Sequence, residues 1–289
     1  MIEQALSDHL REQEDLAALL TTYGDIPAVF SQSAPPDTDE LWKDGPQYPR
    51  IVFAVDLQGD PERIFGGILT VDVMCKGDTY PEDLEPVLRP LIHGWFFSAG
   101  LFTVAAQWRE SNYFEQPTDE VKGCTVTFDL LGFPKLTTTG VDIIDRLNTW
   151  SAAFDGLHII NHDALPSPAW KPSPGESAIY WRRMNRAPAG WIPNTFSTIW
   201  RTVSVRGHVF SAGLDEVADI SDRLVTRLYA DKRLFKEGEA PIMVNRRNTV
   251  EYGADALRTG QITVDATWGE MVYRVNDKMF QHLNVNEKG

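Results

Sequence analysis

Trp42-Lys43-Asp44-Gly45-Pro46-Gln47-Tyr48-Pro49-Arg50-Ile51-Val52-Phe53 and Trp170-Lys171-Pro172-Ser173-Pro174-Gly175-Glu176-Ser177-Ala178-Ile179-Tyr180-Trp181 follow one pattern, 128 residues apart. Each sets a Trp-Lys pair in a proline-rich stretch, places a proline four residues after the Trp, and then enters an apolar run with β-branched and aromatic residues, the mark of a strand. The loops themselves run from Ser31 to Pro49 and from Asn161 to Gly175. Loops of that length are usually functional, and two at equivalent positions are not read as linkers.

The similarity continues on both sides of the loops. Upstream, each half opens on a helical stripe, Leu6, Leu10, Ala17 and Leu20 in one and Val141, Ile144 and Leu147 in the other. At an offset of 131, Leu16 and Leu20 to Tyr23 fall on Leu147 and Ser151 to Phe154. A short apolar stretch precedes each loop (Ile26 to Phe30; Leu157 to Ile160). Downstream, Thr70-Val71-Asp72-Val73 falls on Thr202-Val203-Ser204-Val205 at an offset of 132. The alternation there is that of a half-buried strand. A second helix follows each strand pair, with stripes Leu84, Val87, Leu88, Leu91, Ile92 and Leu214, Val217, Ile220, Leu224, Leu228. Pro90 predicts a kink or break in the first of them. Each half closes on a hairpin, where Val126-Thr127-Phe128-Asp129 meets Ile262-Thr263-Val264-Asp265 at an offset of 136. Gly66-Gly67, inside a strand-like run, predicts a bulge or bend.

Six elements in one order predict a duplication. The expected fold class is α+β: two similar modules, each a mostly antiparallel or mixed sheet packed by two helices. Residues 1–136 form the first and 137–289 the second, with the boundary in the polar stretch Lys135 to Gly140 after a Gly-Phe-Pro stop.

The chain has 289 residues and a net charge of −14, unevenly placed. Up to Leu136 there are 9 Lys+Arg against 23 Asp+Glu, and beyond it 18 of each. An acidic half repels nucleic acid and anionic lipid, which argues against a dedicated DNA-binding role but is compatible with DNA sliding through a lumen. The apolar runs fall short of the roughly 20 residues of a membrane span, and the first residues carry no signal-peptide pattern. Cys75 and Cys124 lie far apart without metal-ligand spacing, so buried reduced thiols in a reducing compartment are expected.

Signatures of catalysis are scarce. Phosphate-cradling glycine motifs and nucleophile elbows are missing, so no cofactor and no catalytic residue are assigned. His158, His162 and Asp163 give the best metal candidate, and a metal-dependent hydrolase centred on His162 and Asp163 is the alternative of a different class. Their segment reads as β-rich, so the one-face geometry of a helix is not expected. Asp37, Asp39 and Glu40 read as a solvated acidic loop rather than a cation site. Trp95, Trp200 and Trp268 fall on core patterns. Trp42-Lys43 and Trp170-Lys171 are candidate partner-docking loops, with self-packing of the loops as the other reading. Arg182, Arg183, Arg186, Arg246 and Arg247 are candidate inter-subunit contacts, since an acidic first half suits a basic cluster on the next copy. A solvated strand face is the plainer reading of the same arginines, and nucleic-acid contact a weaker one.

The order helix, proline-rich loop, two strands, helix and hairpin resembles the tail terminator, or tail completion, proteins of long-tailed bacteriophages. The resemblance is carried by the Leu6-to-Leu20 helix, by Gln47-Tyr48-Pro49-Arg50-Ile51-Val52-Phe53, and by the passage from Val71 to Ile92. It covers the first module and, more loosely, the second. It implies a virion structural protein at the tail-head junction, assembled in the host cytoplasm. Such a protein forms a ring that caps the tail tube, ends its polymerisation and docks to the head connector. Its partners would be its own copies, the tail tube protein and the head-tail connector protein, with DNA passing non-specifically through the lumen and no membrane. Family members carry one module, so a double-module chain implies a ring of three chains, with six chains as the alternative. A neck adaptor or tail tube subunit is the alternative within the same class.

Overall fold

The computed structural model describes residues 2–42, 45–58, 65–100, 102–117, 120–135, 141–189, 198–245 and 248–271. The expected boundary stretch at 136–140 lies outside them. The chain opens with α1 (Ile2–Arg11) and the single turn α2 (Glu14–Ala17). The apolar stripe from Leu6 to Leu20 thus serves two helices rather than one. Strands β1 (Thr22–Tyr23), β2 (Ile26–Pro27) and β3 (Val29–Ser31) follow, then the 3₁₀ turn η1 (Glu40–Trp42), then β4 (Arg50–Leu57) and β5 (Phe65–Lys76). Helix α3 (Pro81–Ile92) leads into β6 (Phe96–Ser98), β7 (Phe102–Gln116) and β8 (Val121–Pro134). Pro90 does not break α3. Pro81 sits at N1, where its missing N–H is not needed, while Pro86 and Pro90 lie inside the helix and withhold donors from the Glu82 and Pro86 carbonyls without ending it.

After residue 140 come α4 (Ile143–Ser151), β9 (Leu157–Ile159), β10 (Ala169–Trp170), β11 (Ser177–Pro188) and β12 (Thr198–Ser211). Then follow α5 (Leu214–Asp231), β13 (Arg233–Leu234), β14 (Ile242–Val244), β15 (Thr249–Val250) and β16 (Ile262–Met271). Asp142 caps α4 by accepting from the N–H groups of Ile144 and Asp145, an arrangement typically worth about 1 kcal/mol.

The chain is α+β, with two mixed seven-stranded sheets. The first has the order β10-β6-β7-β8-β5-β4-β3; the second runs β13-β14-β16-β12-β11-β9, with β15 also on β16. Set side by side, β6-β7-β8-β5-β4-β3 and β13-β14-β16-β12-β11-β9 have one connectivity. In both, the strand just before the proline loop pairs parallel with the strand after it, and the described pairings beyond it are antiparallel. Helices α1 and α3 line one face of the first sheet in a core that includes Leu6, Leu10, Phe53, Leu84, Leu88 and Phe128. Helices α4 and α5 do the same for the second, around Leu147, Trp181, Leu224 and Val264.

The ladders also fix which residues correspond. Phe53, Val71 and Val126 form one rung of the first sheet, and Trp181, Gly207 and Ile262 the matching rung of the second. The likeness of Thr70–Val73 to Thr202–Val205 is therefore four residues out of step, an even number that keeps the same face inward and so hides the slip. A Cβ on Gly207 would lie 2.6 Å from the Trp181 ring. The second sheet has enlarged one partner and emptied the other.

Cys75 and Cys124 are free and buried in β5 and β8, and burial pushes both thiols up to about 11. The Gly66-Gly67 pair does mark a bulge, opposite Leu130 and Leu131. Gly67 has φ +148°, and a side chain there would run into the Asp56 carbonyl.

Candidate assembly interface

The faces of the two sheets turned away from their helices meet each other over part of their area. On the first sheet, Phe96 (β6), Ala105 (β7), Leu131 and Phe133 (β8) point to this side; Val126, Phe128 and Leu130, in the opposite phase of β8, point to the helices. The second half supplies Ile160, Trp170, Ala178, Tyr180, Phe210 and Leu257. Ring centroids stand 4.8 Å apart for Phe96 and Phe210 and 5.1 Å for Phe133 and Tyr180, both edge to face. Such pairs add about 0.5–1.5 kcal/mol each beyond area burial. The Tyr180 hydroxyl donates to the Pro134 carbonyl at 2.9 Å.

One strand crosses the junction. β10, in the proline loop of the second half, pairs antiparallel with β6 at the edge of the first sheet, Trp170 opposite Phe96 and Ala169 opposite Phe97. The Ser98 N–H donates to the Pro168 carbonyl at 2.9 Å and extends the ladder. The edge of the first sheet is thereby covered, which removes an open strand edge.

Polar groups close the rim. Asp129 of β8, nearly buried, accepts from Arg109 of its own sheet and from Arg258 across the junction. Gln107 donates to Asp255 at 3.1 Å, and Arg182 to the Gly132 carbonyl at 3.3 Å. His208 lies beneath Phe133 and Tyr180 and donates from Nδ1 to the Ala256 carbonyl at 2.6 Å. Burial dominates its titration and brings its pKa down to about 4.

The junction is of head-to-tail type, because the two halves present different parts of a shared architecture. The first uses its β6-β7-β8 end, the second its β9-β11-β12 end and its proline loop.

The residues singled out in the sequence are distributed as follows. Trp42 and Trp170 are 3% and 7% exposed, so both rings pack within the chain. Trp42 packs with Ala28 and Phe30, and its indole N–H donates to the Pro36 carbonyl. Trp170 stands over His158 and packs with Ile160 and Phe96. The two rings thus occupy the same place on their own halves, and the second is also pressed against the first half. Lys171 donates to the His93 carbonyl at 3.3 Å, across the same junction.

Of the arginines, Arg182 is committed to the junction, and Arg186 pairs with Glu270, which also holds Arg201. Arg183 is exposed on β11. Lys43, Arg246 and Arg247 lie outside the described residues. Trp268 is core, while Trp95 and Trp200 are half-buried. His158 is on β9 and His162 in the turn after it; among the described residues, neither joins a group of three or more metal-ligating side chains. Asp37 pairs with Arg50 at 2.7 Å.

The junction residues Phe96, Phe133, Tyr180, Phe210, Asp129 and Arg258 were not anticipated from the sequence. A signal existed. From Val126 to Pro134 the strand is buried in both phases, and Leu130-Leu131-Gly132-Phe133 is correspondingly apolar without alternation, as in a strand covered on both faces. No helix among the described residues is long and apolar enough to cross a membrane. Comparison with protein-family models, curated proteins and solved structures returned no match.

Proposed function

We propose that this chain is an assembly subunit, a duplicated virion ring protein of the tail terminator type that caps a phage tail tube and meets the head connector. The observation that carries the reading is the head-to-tail junction between two halves of one connectivity. A contact of that type, repeated from chain to chain, either closes into a ring or grows without limit, depending on the rotation it imposes. Two further features favour the reading. The acidic excess is confined to the first half and the second half is charge-balanced, so a first half facing a second half avoids the repulsion that two first halves would meet. Among the described residues, the titratable groups whose pKa is most displaced, His208, Tyr180 and the two cysteines, are displaced first of all by burial.

Three chains would supply six modules and place them around a pseudo-sixfold axis; six chains with the second halves outside is the other closed form. Light scattering on the purified protein, with negative-stain images of the same sample, tests the proposal. Closed rings of three or six chains are expected. Monomers at high concentration would refute it, and long tubes would move the protein to the tail tube class.

A further inference from the structure

The junction inside the chain uses one surface from each half, which leaves the counterpart of each surface unused. On the first half, the counterpart of the proline-loop segment Pro168-Ala169-Trp170 is Glu40-Leu41-Trp42, at the offset of 128 shared by the two loops. On the second half, the counterpart of β6 is β13. Leu234 faces the core as Phe97 does, which sets Arg233 in the place of Phe96 and Phe235 in the place of Ser98.

These two surfaces are exposed, partly apolar and opposite in charge. Leu41 is 50% exposed and Phe235 66%. Glu40 is exposed next to Leu41, and Lys232 and Arg233 are exposed next to Phe235. Among the described residues, no strand pairs with the outer edge of β13. The segment beside a strand, Ala169–Trp170, is itself a strand, and its counterpart, whose Leu41 carbonyl accepts from the Gly24 N–H instead, is a 3₁₀ turn. A short segment takes strand form when an edge is there to pair with it.

We propose that a second copy of this chain docks its Glu40–Trp42 segment on the β13 edge, repeating between chains the contact that β10 makes with β6 within one. The proposal rests on the assembly reading and specifies its surface. The register within the chain sets Pro168 opposite Ser98, so Glu40 of one copy comes opposite Phe235 of the next, with Arg233 two positions away on the same side, within reach of the carboxylate.

Two experiments on the full chain test it. The charge reversals Glu40→Lys and Arg233→Glu should each lower the solution mass toward that of one chain, and the doubly reversed chain should recover the oligomer. Both sites are exposed, so thermal melts should stay near that of the unmodified protein. Separately, Glu40→Cys with Phe235→Cys should give inter-chain disulfides under mild oxidation, seen as covalent multimers on non-reducing gels, while either cysteine alone should not give the ladder. An oligomer indifferent to both reversals and without the cross-link would overturn this surface and leave the assembly reading standing. An unmodified protein that is a monomer would overturn both.

Discussion

Trp181 and Gly207 face each other across β11 and β12 where Phe53 and Val71 face each other across β4 and β5. Each pair fills a similar space, one with a large ring and no side chain, the other with two of middle size. Close packing makes either residue intolerant of change alone. Gly207→Val should overpack the Trp181 ring and cost about 1–3 kcal/mol. Trp181→Phe should leave a cavity and also lose the indole hydrogen bond to Ser151. Made together they recreate the rung of the first sheet, and urea unfolding should show a favourable coupling of roughly 1–2 kcal/mol; strict additivity would mean that the two positions do not compensate. His208 carries a second prediction at this scale. Its pKa is lowered from 6.5 to about 4 in the folded chain, so below pH 6.5 the unfolded chain binds the extra proton. Its contribution is therefore complete above pH 6.5 and is lost as pH falls toward 4, at most about 3 kcal/mol. His9 and His93, also lowered by burial, act in the same direction. His208→Gln should flatten the fall in unfolding midpoint between pH 7 and 4.5; an unchanged slope would show that His208 is not the group responsible.

Among the elements, the strands around the two proline loops were legible from apolar alternation, and so were α3 and α5. The helix at the start was not, because Glu12 and Gln13 split one apolar stripe into α1 and α2 without a proline or glycine to signal it. Sequence offset set α4 against the region of α2, whereas α4 packs on its own sheet in the position that α1 takes on the first. Side-chain periodicity cannot detect a slip of four residues along a strand either, so Val203 and Gly207 are equally good matches to Val71 by pattern alone. The Trp loops were correctly picked out as equivalent, but a Trp in a polar loop looks the same in sequence whether its ring turns outward or inward. Another tie invisible in the sequence joins α4 to the β13 edge. Arg146 is buried, with its guanidinium donating to the Leu234 carbonyl at 3.1 Å and to Glu239 at 2.8 Å. Arg146→Ala removes both and empties a buried site, so a loss of about 2–4 kcal/mol is expected. Amide exchange should speed up first in β13 and β14; a uniform change over the chain would contradict a local tie.

At the scale of the whole molecule, the two halves are joined by an aromatic, sheet-on-sheet junction with a polar rim, the anatomy of a protein interface. The β6 edge and the proline-loop segment used there have counterparts in the other half, and a chain with one such contact inside it is equipped to make another outside. A heterologous contact closes only if its rotation divides the circle, so oligomer size reads the geometry directly. The measurement that bears most directly on the account is the mass of the unmodified protein by light scattering over a wide concentration range. A single closed species of three or six chains, whose mass does not grow with concentration, is expected. A chain that stays monomeric at the highest concentration would contradict it.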